Sequence, residues 1–317
     1  MLILLFPVAM GAGLAMQTAV NSKLRSFVLS SFLSSGFSFL VAWLFLLILS
    51  LETHQPLLVS PDLFTHAPAW LWLGGLFGAV ALTGNVILFQ KIGSLQTTVL
   101  PIMGQILMSV LIDQFGLFQS PVSRLSFAKV LGLIIIIAGV LLTMGIFELQ
   151  RAVLKQEERE LKTRRGLIFY QLFAVVAGML MAMQTAINGH LGHVLESPIR
   201  AAFISFTIGV LCLLLINEFA YTRFRDITLA ISQGIHYWWV WIGGILGALY
   251  ILCSSWLVPI IGTGQVVVLA LFGQLLFSAL IEHYGLFESS ANQMTRTKLI
   301  GLCVMFVGVL MVKFLTF

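Results

Sequence analysis

The chain has 317 residues, 59% of them hydrophobic and only 9% charged, with a mean hydropathy of +1.04 and a formal net charge of +5. A soluble domain of that size cannot hide so much apolar surface, which leaves lipid as the solvent for most of it. Backbone groups in hydrocarbon must bond one another, so only helices or a closed barrel can cross; the apolar runs here are continuous and about 20 residues long, which selects helices.

In chain order, membrane spans are predicted at 2–21, 29–51, 70–90, 95–113 and 127–147, then at 167–187, 199–220, 238–258, 264–282 and 298–316. The first lacks a basic start and carries Gln17 and Asn21 where a signal peptide would be cleaved, so it reads as a retained helix. Between the fifth and sixth lies 148–166, which holds ten of the chain's 29 Asp, Glu, Lys and Arg residues and reads as a charged cytoplasmic linker. It joins a first five-helix unit, 1–147, to a second, 167–317. Cys212, Cys253 and Cys303 all fall inside apolar runs, which suits packing and not a disulfide or metal cluster. No phosphate-binding glycine loop, H-E-x-x-H, nucleophile elbow or paired acids occur, so the expectation is no enzyme and no cofactor.

The second unit repeats the first. Residues 70–140 realign on 239–309 at a constant offset of 169: Trp70 on Trp239, Gly74, Gly75 and Gly78 on Gly243, Gly244 and Gly247, and Gly104-Gln105 on Gly273-Gln274. Ile92-Gly93-x-x-Gln96 meets Ile261-Gly262-x-x-Gln265, Asp113 meets Glu282, Gly116-Leu117-Phe118 meets Gly285-Leu286-Phe287, and Lys129 meets Lys298. Five spans per unit, an odd number, turn the second unit upside down relative to the first, and inverted units around a midplane site are the plan of many secondary transporters. Basic residues set the orientation: with both termini outside the cytoplasm, thirteen of the seventeen Lys and Arg face inward and four outward.

The first helix of each unit carries a polar pair, Gln17-x-x-x-Asn21 and Gln184-x-x-x-Asn188, with both amides on one helical face. Burying an amide in hydrocarbon without a partner is costly, so these residues face the bundle interior or a wet cavity; they are either a substrate site or glue between helices. Gln105 and Gln274 form a second matched pair, and Asn85 matches Ser254 in mid-span. These eight residues are the candidate substrate-binding set. Asp113 and Glu282 are the only carboxylates matched between the units, each at a helix end; they are candidates for gates or proton-responsive groups, although a carboxylate there ordinarily reaches interfacial water. Gly74-x-x-x-Gly78 and Gly243-x-x-x-Gly247 read as packing faces, and His190 and His193 as a helix end in water.

These motifs resemble the drug/metabolite transporter superfamily, and within it the YdcZ-like five-helix proteins, here fused in tandem. The likeness rests on the two Gln-x-x-x-Asn pairs, on Ser197-Pro198 followed by Ser205-Phe206-x-x-Gly209, on the Gly-Gly-x-x-Gly third helices and on the two Gly-Gln steps. The first unit departs from it: Ser26-Phe27 stands in place of Ser-Pro, and Ser34-Ser35-x-x-Ser38 in place of Ser-Phe-x-x-Gly. The resemblance implies an all-α, ten-helix, alternating-access carrier that exports a small polar or amphipathic metabolite or drug across a bacterial inner membrane. Its expected partners are that substrate, lipid, and a proton or other coupling ion, with no nucleic acid and with monomer or homodimer both open. A passive facilitator or a non-transporting membrane subunit on the same scaffold are the alternatives.

Overall fold

The computed structural model describes residues 2–28, 30–143, 161–219, 237–288 and 295–314, and among these no strand occurs. The helices are α1 (Leu5–Val28), α2 (Ser31–Glu52), a short α3 (Pro61–His66), α4 (Gly74–Phe115), α5 (Phe127–Thr143), α6 (Leu161–Val194), α7 (Pro198–Phe219), α8 (Ile242–Ile261), α9 (Thr263–Tyr284) and α10 (Arg296–Phe314). Among the described residues, five stretches are long and apolar enough to cross a membrane: Phe32–Glu52, Gly166–Val194, Pro198–Glu218, Trp238–Ile261 and Thr263–Ile281. Shorter apolar helices, Leu100–Phe115 and Phe127–Leu142, accompany them. Leu44, Ile48 and Leu51 of α2 and Leu211, Leu214 and Leu215 of α7 are exposed, a placement unfavourable in water but not in lipid. Most of the predicted linker, up to residue 160, lies outside the described residues; its last residues already belong to α6.

One expected boundary carries no non-helical residue. Spans 70–90 and 95–113 belong to a single helical element, α4. A straight helix of 42 residues would reach about 63 Å. Yet the rings of Trp70, just before α4, and Phe118, just after it, stand 5.4 Å apart. The element therefore folds back on itself. Leu88, Ile92 and Leu100 share one cluster with Ala174 of α6, which puts the reversal between Ile92 and Leu100 and divides α4 into two arms. In the second repeat the same step is a true break: α8 ends at Ile261, Gly262 takes φ 84°, and α9 begins at Thr263. One local difference separates the repeats. Pro259 removes a helical N–H where the first repeat has Gln90, whereas glycine, which takes a positive φ without strain, stands at the step in both.

The repeats exchange their first helices. α1 packs on α8 and α9 of the second repeat, and α6 packs on both arms of α4 in the first. Glycines let the backbones meet. A Cβ on Gly11 would lie 1.8 Å from the Ala270 carbonyl oxygen, and one on Gly273 2.0 Å from that of Val8. The counterparts are Gly178 against Pro101 (1.9 Å) and Gly104 against Val175 (2.0 Å). Two equivalent triplets result, α1–α8–α9 and α6 with the two arms of α4. Equivalent helices also pair around them. α2 meets α7 where the Trp43 indole N–H donates to the Thr207 hydroxyl (2.9 Å), and α5 meets α10 through Gly132, Gly139 and Gly308. The largest core cluster accordingly mixes both repeats, with Met10 and Leu46 beside Leu213 and Leu257.

Candidate functional site

The two amide pairs sit on glycines of the opposite repeat. The Gln17 carboxamide lies 2.5 Å, and that of Asn21 2.4 Å, from where Cβ atoms on Gly247 and Gly243 would stand. In the other triplet Gln184 rests on Gly78 (2.4 Å) and Asn188 on Gly74 (2.2 Å). The glycines expected to serve helix packing thus also make room for the amides: a methyl group at any of the four would displace the carboxamide above it. The two pairs occupy separate triplets, with α8 against both: it carries Gly243 and Gly247 beneath Asn21 and Gln17 and packs Val258 on Gly189 of α6.

Their hydrogen bonding differs. The Asn21 amide donates to the Ser38 hydroxyl (3.2 Å), and Ser34 donates to the Asn21 backbone carbonyl (3.0 Å). Asn21 Oδ1 is buried without a partner. In the fold Ser38-Phe39 stands where the second repeat has Ser205-Phe206, with the Ser38 and Ser205 carbonyls against Gly244 and Gly75. The departure expected at Ser34–Ser38 is thus a slip of four residues, and Ser34 stands in the place of Ala201. Asn188, 0% exposed, has no partner on either amide atom. A buried polar group left unpaired costs about 1–3 kcal/mol, so this asparagine is held at a penalty that a binding partner would relieve.

The remaining candidates divide in the same manner. Asn85 Oδ1 and Thr83 Oγ1, in the first arm of α4, are buried without partners. Gln105 is buried in the second arm and Gln274 half-buried in α9, where its backbone N–H lies against Gly11. Ser254 is buried, but its hydroxyl donates to the Ile251 carbonyl of its own helix (2.9 Å), which removes it from the polar surface offered to a ligand. Tyr250 was not anticipated. It is buried in α8 and hydrogen-bonds the Thr185 side chain of α6, next to Gln184. The available signal was a tyrosine in mid-span where the first repeat has Ala81.

Asp113 is not at the water interface that its helix-end position suggested; it is 7% exposed. The Thr263 N–H donates to its Oδ1 (3.0 Å) and the Gly264 N–H to its Oδ2 (2.8 Å), while Ser120 donates to Oδ1 (3.3 Å) and lies 2.9 Å from the Thr263 hydroxyl. A carboxylate from one repeat therefore caps the first turn of α9 in the other. It satisfies orphan amides and meets the positive end of the helix dipole. Lys129 lines a cleft with Asp113, Ser109, Gly264 and Gln265, and its ammonium donates to Ser123 (2.7 Å) and to the Arg124 carbonyl (2.9 Å). On the other side of Ser120 a cavity of about 140 Å³ is lined by Gln119, Pro121, His190, His193 and Val258. His190 packs against Trp70 at 5.4 Å and so is not simply solvated, whereas His193 is exposed. Glu282 stands on α9, but its side chain, like that of Gln96, lies outside the described residues.

Each triplet is closed at one end by an aromatic pair, Trp70–Phe118 in one and Trp239–Phe287 (5.6 Å) in the other. Both phenylalanines sit in strained turns. Phe118 and Gln119 have φ of 54° and 55°, Phe287 and Glu288 both 56°, and a left-handed non-glycine residue costs roughly 1–2 kcal/mol that surrounding contacts must offset. Lys23 pairs with Glu288 beside the Phe27 and Tyr237 rings; the matching residues at the other end are His190 and Gln119.

The crystal structure of another protein superposes on this chain with a TM-score of 0.64 at 16% identity, over 99% of this chain and 96% of that one, a likeness of fold. No curated protein matched. A family model does match, and it matches twice, over residues 2–142 and again over 169–311, the two repeats met above. Apolar helices, a duplicated five-helix pattern and this double match agree, and the chain belongs to the family described as "Putative inner membrane exporter, YdcZ", as an integral, multi-pass protein of the inner membrane.

Proposed function

We propose that the chain is a secondary active transporter that exports a small polar or amphipathic metabolite or drug by alternating access between two inverted five-helix repeats, ten spans in all. The exchange of first helices is the observation that carries this reading. Two equivalent triplets, each built from both repeats, can adopt two pseudo-equivalent arrangements, and interconversion of such arrangements is alternating access. Gln17, Asn21, Asn85, Gln105, Gln184, Asn188 and Gln274 supply neutral donors and acceptors along the route, with Ser254 turned back on its own helix. No carboxylate is placed near mid-span, so orientation of the substrate falls to amides and hydroxyls.

The test is thermal unfolding of the purified protein against amines, amino acids, nucleosides and sugars, with a Gln17→Ala/Gln184→Ala variant alongside. A ligand of the native state raises apparent stability by mass action. The expected result is one chemical class that stabilises the wild type and not the variant. Equal stabilisation of both would move the site away from these amides.

The proposed orientation has its own check. A cysteine replacing Gln156, in the segment between the repeats, should be shielded from impermeant thiol reagents in intact cells and labelled after permeabilisation. Labelling in intact cells would reverse the topology.

A further inference from the structure

The Asp113 cap joins parts that belong to different triplets. The carboxylate is on the second arm of α4, which packs with α6; the amides it holds begin α9, which packs with α1. Breaking this contact would remove the charged part of the seam between the triplets at that end, which the Ser120–Thr263 bond and Gly189 against Val258 also hold. When the triplets part, the Asp113 carboxylate loses two backbone donors and takes others in their place, from entering water or from a nearby cation. A replacement is already in place, since the Lys129 ammonium lines the same cleft as Asp113 and is held there by a serine hydroxyl and a backbone carbonyl, both weaker partners for a cation than a carboxylate.

The repeat carries the same parts at the opposite end. Asp113 precedes Lys129 by the same spacing as Glu282 precedes Lys298, and both pairs match at the common offset. The helix start that Asp113 caps, Gly262-Thr263-Gly264, corresponds to Gly93-Ser94-Leu95, where α4 reverses direction. Glu282 lies near the C-terminus of α9 as Asp113 lies near that of α4.

We propose that Asp113 and Glu282 are two alternating latches, each closing one end of the transporter by capping the helix start of the opposite triplet. Each exchanges that cap for its own lysine, Lys129 or Lys298, when its end opens. Closing one end opens the other, because both latches act on the same pair of triplets. This rests on the alternating-access reading above and supplies its gates.

Hydrogen–deuterium exchange of backbone amides, on the full chain in lipid nanodiscs, reads both ends together. Asp113→Asn should raise exchange at residues 263–265 by about tenfold or more, as expected for losing charge-assisted bonds, and should lower it at residues 94–96. Glu282→Gln should do the reverse. Lys129→Gln leaves the cap intact and removes the partner used in the open state, so it should slow exchange at 263–265 further; it tests the switch even if Asp113→Asn does not fold. A rise confined to 263–265 in Asp113→Asn, with 94–96 unchanged, would make Asp113 an ordinary helix cap and overturn the proposal. So would Lys129→Gln leaving both ends as in the wild type. Exchange needs no substrate, so failure of the latches is distinct from failure to find a transported ligand.

Discussion

Gly11→Ala should leave little folded protein, although it adds a single methyl group. Its Cβ would lie 1.8 Å from the Ala270 carbonyl oxygen and 2.7 Å from the Gln274 nitrogen. Both obstacles are backbone of α9, which no rotamer change can move, so α1 and α9 must separate along their length. Overpacking in a core ordinarily costs about 1–3 kcal/mol where side chains can adjust. With backbone on both sides the expected loss is at or above about 3 kcal/mol, and Gly178→Ala, facing the Pro101 carbonyl at 1.9 Å, should match it. Gly166→Ala is the control, because nothing lies within 4 Å of its Cβ. There the better helix propensity of alanine should raise stability by up to about 1 kcal/mol. The measurement is the unfolding midpoint and monodisperse fraction in detergent. If Gly11→Ala behaves like Gly166→Ala, the two first helices are not exchanged as described.

Asn188→Leu should abolish ligand-induced stabilisation while leaving the empty protein as stable as the wild type or more so. Leucine has nearly the shape of asparagine, and the change removes two buried polar atoms that have no partner. The penalty of about 1–3 kcal/mol for each unpaired group disappears with them. Asn21→Leu makes the contrast. Asn21 also has one unpaired oxygen but donates to Ser38, so the variant strands a buried hydroxyl and should be less stable than Asn188→Leu by about 1 kcal/mol or more without ligand. Unfolding of both variants, with and without the ligand class found by the stability screen, separates a binding role from a joining one. A loss of stability in Asn188→Leu without ligand would make Asn188 an interhelical bond and remove it from the site.

The helical class, the duplication and the family were legible before any coordinates, because each is written in short range. An apolar run of about 20 residues states its own environment, and a constant offset between Trp70 and Trp239 or Asp113 and Glu282 needs no geometry to be seen. Gly74-x-x-x-Gly78 read as a helix-packing face, but the close backbone approach is made by Gly75 against Ser205, and nothing local said what would occupy the space Gly74 and Gly78 leave. The answer, Gln184 and Asn188, comes from the other repeat. Ser34 and Ser38 read as a departure from the motif because it was set four residues out of register; in the fold Ser38 is the counterpart of Ser205, and both serines bond Asn21. Asp113 read as a residue at a wet helix end, and α9 buries it from about 150 positions away.

Sequence alone determined which residues are apolar enough for lipid, which positions recur, and which polar groups are too costly to face hydrocarbon. These depend on composition and on spacing along one helix. Only the tertiary structure decided which repeat each first helix joins, which asparagine is satisfied and which is not, and that a carboxylate of one repeat begins a helix of the other. Such outcomes depend on backbones meeting at distances set by glycine and on hydrogen bonds between residues far apart in the chain, and neither is encoded in any local pattern.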